Sequence, residues 1–96
     1  FNTSANIIPK YSAINSNFTL ATGEIYAIAW TDGGVGSKYE AIKNTYIKMS
    51  LLTISSGQTI TSGDYVEALS GNLTKVEYKT TAKCVSLNGI LYLEIK

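Results

Sequence analysis

Ninety-six residues make one domain with one hydrophobic core, and leave no room for a separate catalytic lobe or a deep cofactor cleft. Eight lysines against seven acids give a net charge of +1, too weak a field to hold a polyanion by counterion release, so nucleic acid is not an expected partner. The chain has no Arg for bidentate phosphate or guanine contacts and no His for proton transfer near neutral pH.

Phe1 opens the sequence without an initiator Met, as a processed chain or a fragment would. No apolar run approaches the ~20 residues of a membrane-spanning helix. The richness in Ser, Thr and Asn with few charges points outside the cytoplasm, to an extracellular, cell-surface or virion-surface location. One cysteine excludes an internal disulfide.

In chain order, residues 1–17 read as an extended N-terminal arm before a β domain at residues 18–96. They are polar and lack a sustained period, which suits a frayed terminus or an arm that docks on a neighbouring subunit. The stretch Asn6–Ile14 could pair as an edge strand, but Pro9 argues against a central position. Ile7, Ile8, Tyr11 and Ile14 are the side chains with which such an arm would grip a neighbouring subunit.

Phe18–Thr31 is the first strand region. Glu24, Tyr26, Ile28 and Trp30 alternate with Ile25, Ala27 and Ala29, so both faces are apolar and both should be covered. Three glycines in Gly33-Gly34-Val35-Gly36 then make a loop.

Tyr39–Ile54 supports two readings. Ile42, Tyr46, Met49 and Leu52 have helical spacing, and Ser37 with Glu40 fits a capping box, which would place one helix near 38–52 and make the class α+β. The β-branched and aromatic residues of its second half favour strand, with a slip near Leu51-Leu52 of the kind a bulge causes.

Turns at Ser55-Ser56-Gly57, Ser62-Gly63-Asp64 and Ser70-Gly71-Asn72 separate the later strands. Tyr65–Leu69 is one. Leu73–Thr81 is another, with Val76 and Tyr78 on one face and Lys75, Glu77 and Lys79 on a solvated one. Asn88-Gly89 between apolar runs predicts a type I′ hairpin. Counting outward pairs Leu87 with Ile90, Ser86 with Leu91, Val85 with Tyr92, Cys84 with Leu93 and Lys83 with Glu94. The face with Ala82, Cys84, Ser86, Leu91, Leu93 and Ile95 is then the core face. Short strands at this spacing predict a mostly β protein, a single small antiparallel β-sandwich or barrel-like domain.

Chemistry-bearing patterns are sparse. Nucleophilic catalysis lacks a His base and a glycine-flanked elbow. A Ser–Lys pair has no support beyond composition. One Cys and no His cannot build the usual zinc set, and the acids form no calcium-type run. Asp32 and Asp64 read as turn residues, and Cys84 as core filler. The glycine loop lacks the phosphate-loop frame. No catalytic residue, metal or cofactor is expected.

Three sequons, at Asn2, Asn17 and Asn72, are candidate glycosylation positions in a secreted chain. Tyr39 and Tyr92, read as exposed, are candidate binding-surface residues, because a ring offers a flat apolar face with a polar tip.

These features together predict a non-enzymatic structural subunit of an extracellular assembly, such as a filament or virion surface. It would join copies of itself, with the arm adding a strand to a neighbour. The alternative is a β module that binds a glycan or cell-surface receptor.

Overall fold

The computed structural model describes residues 1–43 and 46–96. The chain forms two antiparallel sheets and, among the described residues, no α-helix. The smaller sheet contains β1 (Ala13–Ile14), β2 (Ala27–Ala29) and β3 (Ala41–Ile42), in that order. The larger contains β4 (Tyr46–Lys48), β5 (Tyr65–Leu69), β6 (Asn72–Val76), β7 (Ala82–Leu87) and β8 (Ile90–Ile95), in the order β4-β8-β7-β5-β6. The sheets pack as a sandwich and do not close into a barrel.

One core lies between the sheets. Ala13 and Ile28 enter it from the smaller sheet, and Ile47, Val66, Leu73, Cys84, Leu93 and Ile95 from the larger. Ile25, Met49, Leu52 and Ile60 close its margins. Each large aliphatic side chain buried here contributes about 1.5–3 kcal/mol. A second, smaller core covers the other side of the three-stranded sheet, where Ile8, Ile14, Ala27 and Ala29 pack under Leu20, Tyr39 and Ala41. β2 is therefore buried on both faces, as its two apolar faces require.

The C-terminal hairpin has the register counted from its turn, from Leu87 opposite Ile90 to Lys83 opposite Glu94. Asn88 and Gly89 take φ of 53° and 80°, the left-handed pair that a type I′ turn needs. Ser70 and Gly71 repeat this geometry between β5 and β6, at φ of 49° and 87°. Leu69 pairs with Asn72, so Asn72 opens a strand and does not belong to the turn.

Three expectations need correction. Residues 1–17 are not a free arm, and no boundary at residue 17 appears in the packing. Asn2, Ile8, Ala13 and Ile14 are buried, and β1 pairs with β2. The polar sequence hides this, because the anchors are single residues spaced too irregularly to show a period. Second, the 39–54 segment is neither a helix nor one strand. It supplies β3 to one sheet and β4 to the other, followed by a 3-10 turn at Met49–Leu51 in place of the bulge. Positions 44 and 45, within that segment, lie outside the described residues. Third, β6 ends at Val76 and the chain bends at Glu77–Tyr78. Leu73 takes the core face and Val76 the outer one.

The free sides of β5 and β6 are tied to the rest of the chain. Ala68 and Gly23 exchange two N–H···O bonds of 2.8 Å. Along β6, the Leu73 amide donates to the Thr53 carbonyl at 2.8 Å, and the Ser55 amide donates to the Leu73 carbonyl at 2.7 Å.

Candidate functional site

Alternation turns one face of the larger sheet away from the core. Its rows follow from the register. The first runs Tyr46, Glu94, Lys83, Tyr65, Val76 across all five strands. The second runs Lys48, Tyr92, Val85, and the third pairs Ile90 with Leu87.

This face is apolar for a surface. Tyr46, Ile90 and Leu87 are 51%, 46% and 44% exposed, beside half-buried Tyr92, Val85, Tyr65 and Val76. Tyr46 and Tyr92 meet edge to face with centroids 6.4 Å apart. The Lys83 ammonium lies 5.5 Å from the Tyr65 ring centroid. The Glu94 carboxylate beside Tyr46 raises that phenol's pKa, through a hydrogen bond and its negative charge. The centre of the face thus sets Lys83 opposite Glu94, whose carboxylate also lies 3.8 Å from the Lys96 ammonium, with Lys48 farther along β4 and aromatic and aliphatic groups between them.

A second aromatic cluster flanks the smaller sheet. Phe18 meets Tyr26 and Tyr39 edge to face, at 5.9 and 6.5 Å. The Lys43 ammonium sits 3.8 Å from the Tyr26 centroid. Phe18 adopts φ of 62°, a left-handed conformation uncommon for an aromatic residue. Asn15 holds that loop, its Oδ1 accepting from the amides of Asn17 and Thr19. Beside the cluster lies an open groove of about 380 Å³, whose lining includes Asn15, Thr22, Glu24, Tyr26, Lys43 and Lys96.

The two tyrosines singled out from sequence fall in different places. Tyr92 stands on the outer sheet face, as the hairpin register placed it. Tyr39 does not stand free. Its ring lies over Gly33, where a Cβ would come within 2.9 Å of it, and its hydroxyl donates to the Phe18 carbonyl. Burial raises its pKa. Of the proposed arm residues, only Ile7 is well exposed, at 63%. Ile8 and Ile14 are buried, and Tyr11 is half-buried with an edge-to-face contact to Trp30 at 5.4 Å.

Asn2, the first of the sequon positions, is buried. Its Nδ2 donates to the carbonyls of Asn6 (2.6 Å) and Gly33 (3.0 Å), and its Oδ1 accepts from the Ser4 hydroxyl and amide. Asn17 is exposed, and Asn72 is half-buried at the start of β6. Asp32 accepts from the Lys10 amide, and Asp64 from the amide and hydroxyl of Thr61, as turn residues do. Hydrogen bonding from Thr61, aided by Lys75, holds the Asp64 carboxyl below its usual pKa. Cys84 is buried, and desolvation raises its thiol pKa.

Sequence reasoning missed Tyr46, Tyr65, Leu87, Ile90, Phe18 and Tyr26 as surface features. For Leu87 and Ile90 the signal existed, since the hairpin count already set them off the core face. Tyr26 shares alternation with Ile28 and Trp30, which pointed it inward. Its position just outside β2 frees it from that rule.

Among the described residues, no group of three or more His, Cys, Asp or Glu side chains could hold a metal ion, and no helix is long and apolar enough to cross a membrane. Comparison with protein-family models, curated proteins and solved structures found no match.

Proposed function

We propose that this chain is a non-enzymatic structural subunit of an extracellular assembly, such as a filament or a virion surface, and that its contact surface is the outer face of the five-stranded sheet. The observation that carries the reading is the run of Tyr46, Tyr92, Val85, Leu87 and Ile90 on a solvent-facing sheet surface. A contiguous apolar patch of a few hundred Å² is often functional, and larger ones mark interaction sites. Tyrosine suits such a surface, because it brings contact area with little conformational entropy to lose.

Strand addition by the N-terminal segment is no longer the favoured route. It would require pulling Ile8, Ala13 and Ile14 out of two cores. Face-to-face packing needs no such opening.

Sedimentation velocity across a wide concentration range tests the reading. The wild-type chain is expected to associate as concentration rises, and Tyr92→Ser with Ile90→Ser to shift that association at least tenfold upward in concentration. A wild-type chain that stays monomeric throughout would overturn it. A second reading, a glycan-binding module, is favoured by the Phe18–Tyr26 pair beside its polar groove. Glycan-array binding by such a monomer, lost in Tyr26→Ala, would transfer the assignment to it.

A further inference from the structure

We propose that the occupant of the outer sheet face is a second copy of this chain, packed face to face about a two-fold axis that runs along the strands between β7 and β8. This rests on the reading of that face as the assembly surface, and adds the partner and its register.

The argument begins with strand order. In the order β4-β8-β7-β5-β6 the boundary between β8 and β7 halves the first four strands and leaves β6 outside the overlap. A two-fold axis along that boundary, in the plane between two stacked sheets, lays β8 of one copy over β7 of the other and β4 over β5. The row Tyr46, Glu94, Lys83, Tyr65 then meets itself reversed. Glu94 faces the second copy's Lys83, twice over by symmetry. Tyr46 faces the second copy's Tyr65, Tyr92 faces Val85, and Ile90 faces Leu87. Opposite charges thus meet at the centre, where like charges would oppose self-packing, the other pairs named are apolar or aromatic, and exposed Lys48 falls at the rim, beyond the end of the facing β5.

Such a contact is isologous and closes at two copies, so a filament or shell would need a further contact elsewhere on the chain. Aligned sheets pack about 30° apart, so the pairs nearest the axis keep register while the corners splay. At ~4.8 Å between strands and ~3.4 Å per residue, four strands of five residues project roughly 320 Å². That is below the ~800 Å² per partner of a standard stable interface, so the pair is expected to dissociate in the micromolar range.

The test uses Lys83→Glu and Glu94→Lys, each checked for native far-ultraviolet circular dichroism. In either variant alone, like charges meet at both symmetric contacts, and the dissociation constant read by sedimentation should rise at least tenfold. An equimolar mixture restores both pairs across the interface, so a heterodimer at near wild-type affinity should appear, with native mass spectrometry identifying it. The chain carrying both substitutions loses the exposed Lys96–Glu94 pair but restores opposite charges between copies, and should self-associate like wild type even if a single variant folds poorly. A mixture no tighter than its components, or a double variant that stays monomeric, while wild type still associates, would overturn this register and leave the assembly face standing. A wild-type chain that does not associate would overturn both.

Discussion

Gly71 sits where the two sheets meet, and three constraints fall on it at once. Its φ is +87°, and an added Cβ would come within 2.7 Å of Leu20 Cδ2 and 3.3 Å of Ser12 Cβ. Its carbonyl accepts from the Ala13 amide and its amide donates to the Ala21 carbonyl, so the turn cannot swing away without losing both bonds. Gly71→Ala should therefore destabilise by about 2–4 kcal/mol, combining left-handed backbone strain with overpacking. Urea denaturation of the two chains checks this, with Gly89→Ala as a control that meets nothing within 4 Å and should lose only the backbone share. The turn at Ser70-Gly71 was legible in the sequence. Its docking was not, since nothing near Gly71 in the chain announces Leu20 or Ser12. The same holds for Asn2, whose Asn-Thr-Ser context reads as a surface acceptor while carbonyls of Asn6 and distant Gly33 surround it.

Among elements, the C-terminal hairpin was the most readable, because one dipeptide sets the register of everything after it. Five residue pairs and the choice of core face followed from Asn88-Gly89 by counting. The strand pairing of β1, by contrast, depends on partners at positions 27–28 and a turn at 71, and short strands carry too few residues to show alternation. The outer face of the larger sheet was half legible. Tyr92, Val85, Leu87 and Ile90 come from the hairpin, whereas Tyr46 lay in the segment whose helix and strand periods compete. The N-terminal segment gives the prediction at this scale. Deleting residues 1–14 removes Ile8 and Ile14, both 0% exposed, along with β1. Two buried isoleucines amount to about 3–6 kcal/mol, a large part of the ~5–15 kcal/mol that a domain holds in reserve. The deleted chain should lose its cooperative thermal transition. A dispensable arm would instead leave the midpoint unchanged.

At the scale of the whole molecule, Cys84 offers a natural reporter. It lies in β7, the middle strand of five, with its side chain in the main core, and desolvation keeps its thiol protonated. Local fraying at the sheet margins should not reach it, so modification by a thiol reagent should require global opening. Labelling is expected to run at least about a thousandfold slower in buffer than in denaturant, and to follow the unfolding free energy as urea is raised. Rapid labelling in buffer would mean that the two sheets part independently of unfolding. Within the larger sheet, the stretch at Thr53–Ser55 lies along β6 and takes up the Leu73 amide and carbonyl. An open strand edge templates further strands without limit, which is the route to cross-β ribbons. Here the chain occupies part of that template itself. If two molecules did join along their β4 edges, the result would be two five-stranded sheets with β6 at either end, each with its Leu73 hydrogen-bonding groups already spent. Edgewise growth of the larger sheet through β6 is thereby blocked at Leu73.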